Sequence, residues 1–176
     1  TSKRPEVKEL PIKRAEQQRF IQAQVVDMQQ GKPQRVDSVF VDGVQYTARV
    51  RIGPPDQTWL TLENEFPMHL LPDTESHILQ VYFCESNHLP EVQMATIELL
   101  RRGSSTECQF LFSVKKEVPL FEARIIIAYK NRILQTALLK AEVVESFAHA
   151  GMRKSVSLEV EAVVRPITAG LSRRQE

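Results

Sequence analysis

Two side chains four residues apart, Cys84 and His88, are the thiol and imidazole close enough in sequence to suggest nucleophilic chemistry. A cysteine nucleophile needs a positioned base and a lowered thiol pKa. A strand end at Cys84 and a turn through residues 87–90 would bring the pair together, but nothing nearby would lower the thiol pKa. A small cysteine hydrolase is therefore the third of three functional readings. There is no Gly-x-Ser-x-Gly elbow. His69, His77, His88 and His149 are scattered, whereas a zinc site needs clustered ligands, so no metal or cofactor is expected. Cys84 and Cys108 cannot build a disulfide scaffold; one bridge is conceivable, and two reduced core thiols are favoured.

Charge and aromatic residues give three further candidates. Arg101-Arg102-Gly103-Ser104-Ser105 offers two guanidinia and turn amides to a phosphate, although a solvated turn is the plainer reading. Arg49, Arg51, Arg124, Lys130 and Arg132 would share a wet sheet face, but Glu122 lies among them and the net charge is only +1, so nucleic acid is not expected as a partner. Trp59 and Phe66 fall in a long connection and could form a sugar-stacking or protein-contact platform, or plug the end of a sandwich. The candidate interaction residues are thus Trp59, Phe66, Arg101, Arg102, Arg124 and Arg132.

These residues must be positioned by extended chain, because apolar side chains recur with period two along most of the sequence. Val44, Tyr46, Ala48, Val50 and Ile52 alternate with Gln45, Thr47, Arg49 and Arg51. Asp42-Gly43 before them predicts a tight hairpin with residues 35–41. Similar alternation marks 77–84, 94–100, 107–114, 120–129 and 156–164, the last ended by Pro166. Lys130-Asn131 reads as a two-residue turn. Residues 58–62 read as a short strand. Two stretches are ambiguous. Residues 19–27 fit a strand or a helical stripe, with strand preferred. Residues 132–145 are apolar on both faces, which suits a helix, a central strand, or a strand whose faces are swapped by a bulge.

The sum is about eight or nine strands without alternating helices, an all-β, antiparallel β-sandwich of immunoglobulin-like or jelly-roll type, with one possible short helix. With 176 residues, 42% hydrophobic and 26% charged, the chain suits one globular domain and excludes wholesale disorder. We expect the sandwich over 18–166, an arm or linker over 1–17 and a tail over 167–176. The start at Thr1 without Met suggests a piece of a larger protein. No apolar run approaches the ~18 residues that cross a bilayer, no signal-peptide pattern occurs, and a cytoplasmic address is expected.

Three segments carry a resemblance. They are Arg19-Phe20-Ile21-Gln22-Ala23-Gln24-Val25, residues 46–52 with Gly53-Pro54-Pro55, and residues 123–136 through Tyr129-Lys130-Asn131-Arg132. Together, over residues 19–145, they resemble a β-sandwich segment of large bacterial multidomain proteins that carry caspase-like CHAT protease domains or related defence and signalling modules. The resemblance implies an accessory piece beside a catalytic domain, and it carries over no catalytic residue. The first functional reading is accordingly a non-catalytic interaction or scaffold module of a larger intracellular protein, with other protein domains as partners. It predicts an accessible apolar patch or an open sheet edge. The second is a carbohydrate- or ligand-binding sandwich centred on Trp59.

Overall fold

Alternating apolar side chains favour extended backbone, since period two places every second residue on the same face. A computed structural model describes residues 17–149 and 155–161 of the chain. Among them are eleven strands: β1 (Phe20–Gln29), β2 (Lys32–Arg35), β3 (Val39–Val41), β4 (Gln45–Gly53), β5 (Leu60–Thr61), β6 (Ser76–Cys84), β7 (Gln93–Leu100), β8 (Cys108–Ser113), β9 (Leu120–Tyr129), β10 (Arg132–Val144) and β11 (Ser157–Val160). The short strands β3 and β5 fall within the expected 35–41 and 58–62, while β2, four residues long, was not expected. Pro33 also disguises β2; it is tolerated because β2 is an edge strand. For the possible short helix, the described residues hold two 3-10 turns, Met68–Leu70 and Phe147–His149. No helix among the described residues is long and apolar enough to cross a membrane.

The strands form two sheets of a sandwich. The first runs β2–β1–β4–β8, with β5 beside the early half of β1; the second runs β11–β10–β9–β6–β7, with β3 beside the end of β10. Every pairing is antiparallel except β3 with β10. Inward side chains of both sheets meet in one core. Phe83 of β6 stacks on Phe110 of β8 at 4.9 Å between centroids, and Phe112 of β8 on Phe121 of β9 at 4.6 Å. Truncating one such ring typically costs ~3–5 kcal/mol through lost burial and the cavity left behind.

Both ambiguous stretches are strands. In β1, Ile21, Ala23 and Val25 face the core, while Gln22 and Gln24 are buried from the other side by the loop that follows β4. In β10 the register to β9 slips between Ile133 and Gln135. The extra residue of this bulge, Leu134, is itself buried and exchanges the faces: Ile133 before it is exposed, and Ala137, Leu139, Ala141 and Val143 after it point inward. The bulge accounts for Leu134; Leu138 faces outward beside Arg124, and Val144 packs with Val39 and Val41 in a separate small cluster. The Lys130-Asn131 turn holds both residues at positive φ, 49° and 68°, as a type I′ hairpin requires.

The Asp42-Gly43 turn departs from expectation. Val44 N–H donates to Val41 O at 3.1 Å, so the chain does turn there. Only Gly43 has positive φ, however, whereas a type I′ hairpin needs it at both central residues. The strand before the turn, β3, pairs with β10 in the second sheet, and β4 belongs to the first. Asp42-Gly43 is therefore a corner between sheets. At the far end of β4, a Cβ on Gly53 would lie 2.6 Å from Ser104 Oγ, so glycine permits the close approach of the β7–β8 turn.

At the end of the chain, Val156 is buried and Leu158 packs against the core, but Val160, at the open end of edge strand β11, is 40% exposed rather than inward. Ala162, Val164 and Pro166, the tail over 167–176 and nearly all of the arm over 1–17 lie outside the described residues.

Candidate interaction face

Two of the six candidate residues are interior. Trp59 packs its ring on the outer side of the first sheet, where the Arg51 guanidinium lies 4.2 Å and that of Arg49 5.2 Å from the ring centroid. Beneath it Gln22 Nε2 donates to Pro54 O (2.7 Å) and Gln24 Nε2 to Thr58 O (2.6 Å). Arg51 Nε donates to Gln22 Oε1 and Arg49 Nη1 to Gln24 Oε1. The indole is a buried lid with two cations against it, so it offers no face to a sugar. Phe66 belongs to the core cluster, its N–H donating to Arg19 O. Both placements fit the plug reading of these aromatics and not the exposed platform: they close the end and flank of the sandwich.

The arginines are exposed but do not converge. Arg101 pairs with Asp73 (3.0 Å) and lies 3.7 Å from Glu75. The amide and carbonyl of Gly103 are taken by Gln17 Oε1 and by the guanidinium of Arg19, which also donates to Leu100 O at 2.6 Å. Carboxylates and backbone thus already use the groups a phosphate would need. Arg19, only 4% exposed, is a buried staple that sequence inspection passed over; a charged residue opening an apolar strand was its signal. Arg124 sits on the outer side of the second sheet, 2.6 Å from a carboxylate oxygen of Glu161. Leu100 pairs with Ser76 at one end of β6 and Arg124 with Cys84 at the other, so Arg101 and Arg124 are roughly 26 Å apart by strand rise. Arg102 and Arg132 are exposed at the β7–β8 turn and the β9–β10 hairpin.

The thiol–imidazole pair is separated by other bonds. Lys115 N–H donates to His88 Nδ1, and His88 Nε2 lies 3.1 Å from Leu120 O, so backbone groups occupy both ring nitrogens. Burial pushes the Cys84 thiol above its usual pKa, against the lowering pull of Arg124. Burial, with the Glu107 charge, pushes Cys108 up to about 12. The two thiols are free and lie on different sheets, Cys84 turned outward from β6 and Cys108 inward from β8. His77 is buried, with Nε2 2.7 Å from Pro72 O. No group of three or more His, Cys, Asp or Glu able to hold a metal occurs among the described residues. The side chain of His149 lies outside them.

What the structure does assemble is an apolar row across the outer face of the second sheet. Register places Met94 of β7 beside Tyr82 of β6, Tyr82 beside Ile126 of β9, and Ile126 beside Thr136 of β10. Cys84 and Leu138 follow in the adjoining row, and Ile78 lies further along β6. Met94 is 56% exposed and Ile78 52%. The charges along this margin are matched within the fold: Arg124 to Glu161, and Lys140 to Glu159 and Glu122.

The row ends in a groove of about 420 Å3 lined by Cys84, Glu85, Leu89, Val92, Arg124 and Leu138. Glu85 shapes that groove. Its buried carboxylate accepts from the N–H groups of Asn87 and His88 and, through the second oxygen, from that of Glu122. It thereby fixes the turn after β6 to β9, and Val92, 60% exposed, forms the groove's rim.

No family model matches this chain. No curated protein or solved structure matches it either.

Proposed function

We propose that this domain is a non-catalytic protein-interaction module that docks another folded domain on the outer face of its second sheet. The observation that supports this most is the apolar row Met94–Tyr82–Ile126 with Leu138 and Ile78 around it. Outward positions of a solvated sheet are normally polar, and exposed apolar residues gathered on one face mark contact surfaces. The partner is a protein with a flat, mainly apolar surface, because Arg124 and Lys140 beside the row are already paired with Glu161, Glu122 and Glu159. The resemblance to accessory sandwiches of bacterial CHAT-bearing proteins suggests the neighbouring domains of a longer intracellular protein as that partner.

The test is calorimetric titration with the adjacent domains of the longer protein, using the wild type and the variant Ile126→Glu. A charge placed in the desolvated centre of a contact should weaken binding at least about tenfold. Equal affinity for wild type and variant, with both folded, overturns the reading.

A further inference from the structure

A second surface, unrelated to the apolar row, is built around a carboxylate. Asp27 continues the inward set Ile21, Ala23, Val25 along β1 and is only 5% exposed. Its Oδ1 is buried and has no hydrogen-bond partner, while Oδ2 accepts a single bond from Gln29 Nε2 at 3.1 Å. No salt bridge reaches it among the described residues. A buried carboxylate normally has its oxygens satisfied and its charge matched. Gln29, the one donor, is an exposed side chain two residues along, free to swing aside.

Asp27 and Gln29 line a groove of about 420 Å3 together with Met28, Val44, Leu111 and Phe147. Those four apolar side chains come from four separate segments, and Met28, Leu111 and Phe147 are each more than half exposed. The Asp27 charge is felt inside the fold. Burial raises the Tyr46 pKa, the Val41 N–H bond to its hydroxyl opposes this, and the Asp27 charge adds to the rise.

We infer that the groove between β1, β8 and the Phe147 turn binds a primary ammonium carried on a short alkyl chain. The ammonium displaces Gln29 and donates to the Asp27 carboxylate, and the chain lies against Met28, Leu111 and Phe147. A lysine side chain of another protein and a free alkylamine share this chemistry.

The test is an amide-detected NMR titration with three probes: Nα-acetyl-lysine methylamide, n-butylammonium and the uncharged Nα-acetyl-norleucine methylamide. Either ammonium should shift the amides of Asp27, Met28, Gln45 and Leu111 saturably, and D27N should bind it roughly tenfold or more weakly, since a charge-assisted bond is lost. Binding of both ammoniums admits small amines, whereas binding of the lysine derivative alone narrows the source to protein side chains. Should D27N not fold, L111S, altered at an exposed wall position, takes its place and should weaken binding several-fold. No saturable shifts, an equal response to the norleucine derivative, or unchanged affinity in a folded variant overturns the assignment and leaves a merely hydrated carboxylate.

Discussion

Each sheet turns one face away from the core, and the two faces are finished differently. On the first sheet the outward Gln22, Gln24, Arg49 and Arg51 are bonded to one another and to the loop carrying Trp59, and the indole lies against the guanidinia. Polar residues there are mostly withdrawn from water. On the second sheet the outward Met94, Tyr82, Ile126 and Ile78 have no loop over them among the described residues; Met94 and Ile78 are exposed, and Tyr82 and Ile126 half-buried. Period two separates inside from outside, but it does not say which outside is wet. Under the Trp59 loop the first sheet holds itself together, though Met28 and Leu111 beyond that loop stay exposed; the second sheet offers the row itself.

The sharpest way to break this contrast is Trp59→Ala. If the lid stabilises the first sheet as a core residue would, the variant should lose ~3 kcal/mol in urea unfolding. A loss below about 1 kcal/mol would mean that the loop merely rests on the sheet. A second substitution probes the polar layer beneath it. Gln22→Ala strands Arg51 Nε and Pro54 O and should cost ~1–2 kcal/mol. A neutral result would indicate that water replaces the amide freely.

The same contrast marks what could be read from the sequence. Strand β4 was legible because it pairs a buried face with a polar one, and β6, β8 and β9 because every second residue is apolar and buried even though the other face is mixed. The two-residue turn at Lys130-Asn131 was legible too, and the bulge in β10 was foreseeable as one of three explanations for an all-apolar stretch. Strand β3 was misassigned because Asp-Gly reports a local turn, and which sheet its arms join is settled by pairing with β10, a hundred residues away. The lid over Gln22 and Gln24 was hidden for the same reason: residues 54–61 cover β1 only after the sheet has formed. Asp27 had a visible signal, a carboxylate in the inward phase Ile21, Ala23, Val25, which was passed over as a strand end. The apolar row on the second sheet needed the register of four strands before Met94, Tyr82 and Ile126 became neighbours.

The two cysteines sample an interior and the bare face. Cys108, inside the first sheet, has its pKa raised from about 9 to about 12 by burial, so folding disfavours its thiolate. A raised pKa contributes stability that is complete below the unfolded value and is lost as pH climbs toward the folded one. Stability should therefore fall by a little under ~1 kcal/mol between pH 8 and 9.5, and Cys108→Ala should flatten that slope. In native protein a thiol reagent should reach Cys84 first, slowly at neutral pH and faster as pH rises. Equal labelling of both thiols at pH 8 would show that the first sheet opens as readily as the second is exposed.

The smallest stability effect belongs to the bare face, and it is the most informative for function. Met94→Ser removes apolar surface that folding leaves in water, so it should change unfolding free energy by under ~0.5 kcal/mol, whereas Ile126→Ser, at a half-buried position of β9, should cost more, ~1–2 kcal/mol. If the row serves only to stiffen the sheet, the cross-strand contact with Tyr82 would make Met94→Ser cost nearer ~1 kcal/mol, with partner affinity unchanged in both variants. If it is a contact surface, Met94→Ser leaves stability flat while binding to the partner domain weakens in both variants. Measuring unfolding and binding on the same two variants separates the possibilities, because the residues that hold the fold and those that meet a partner then move different observables.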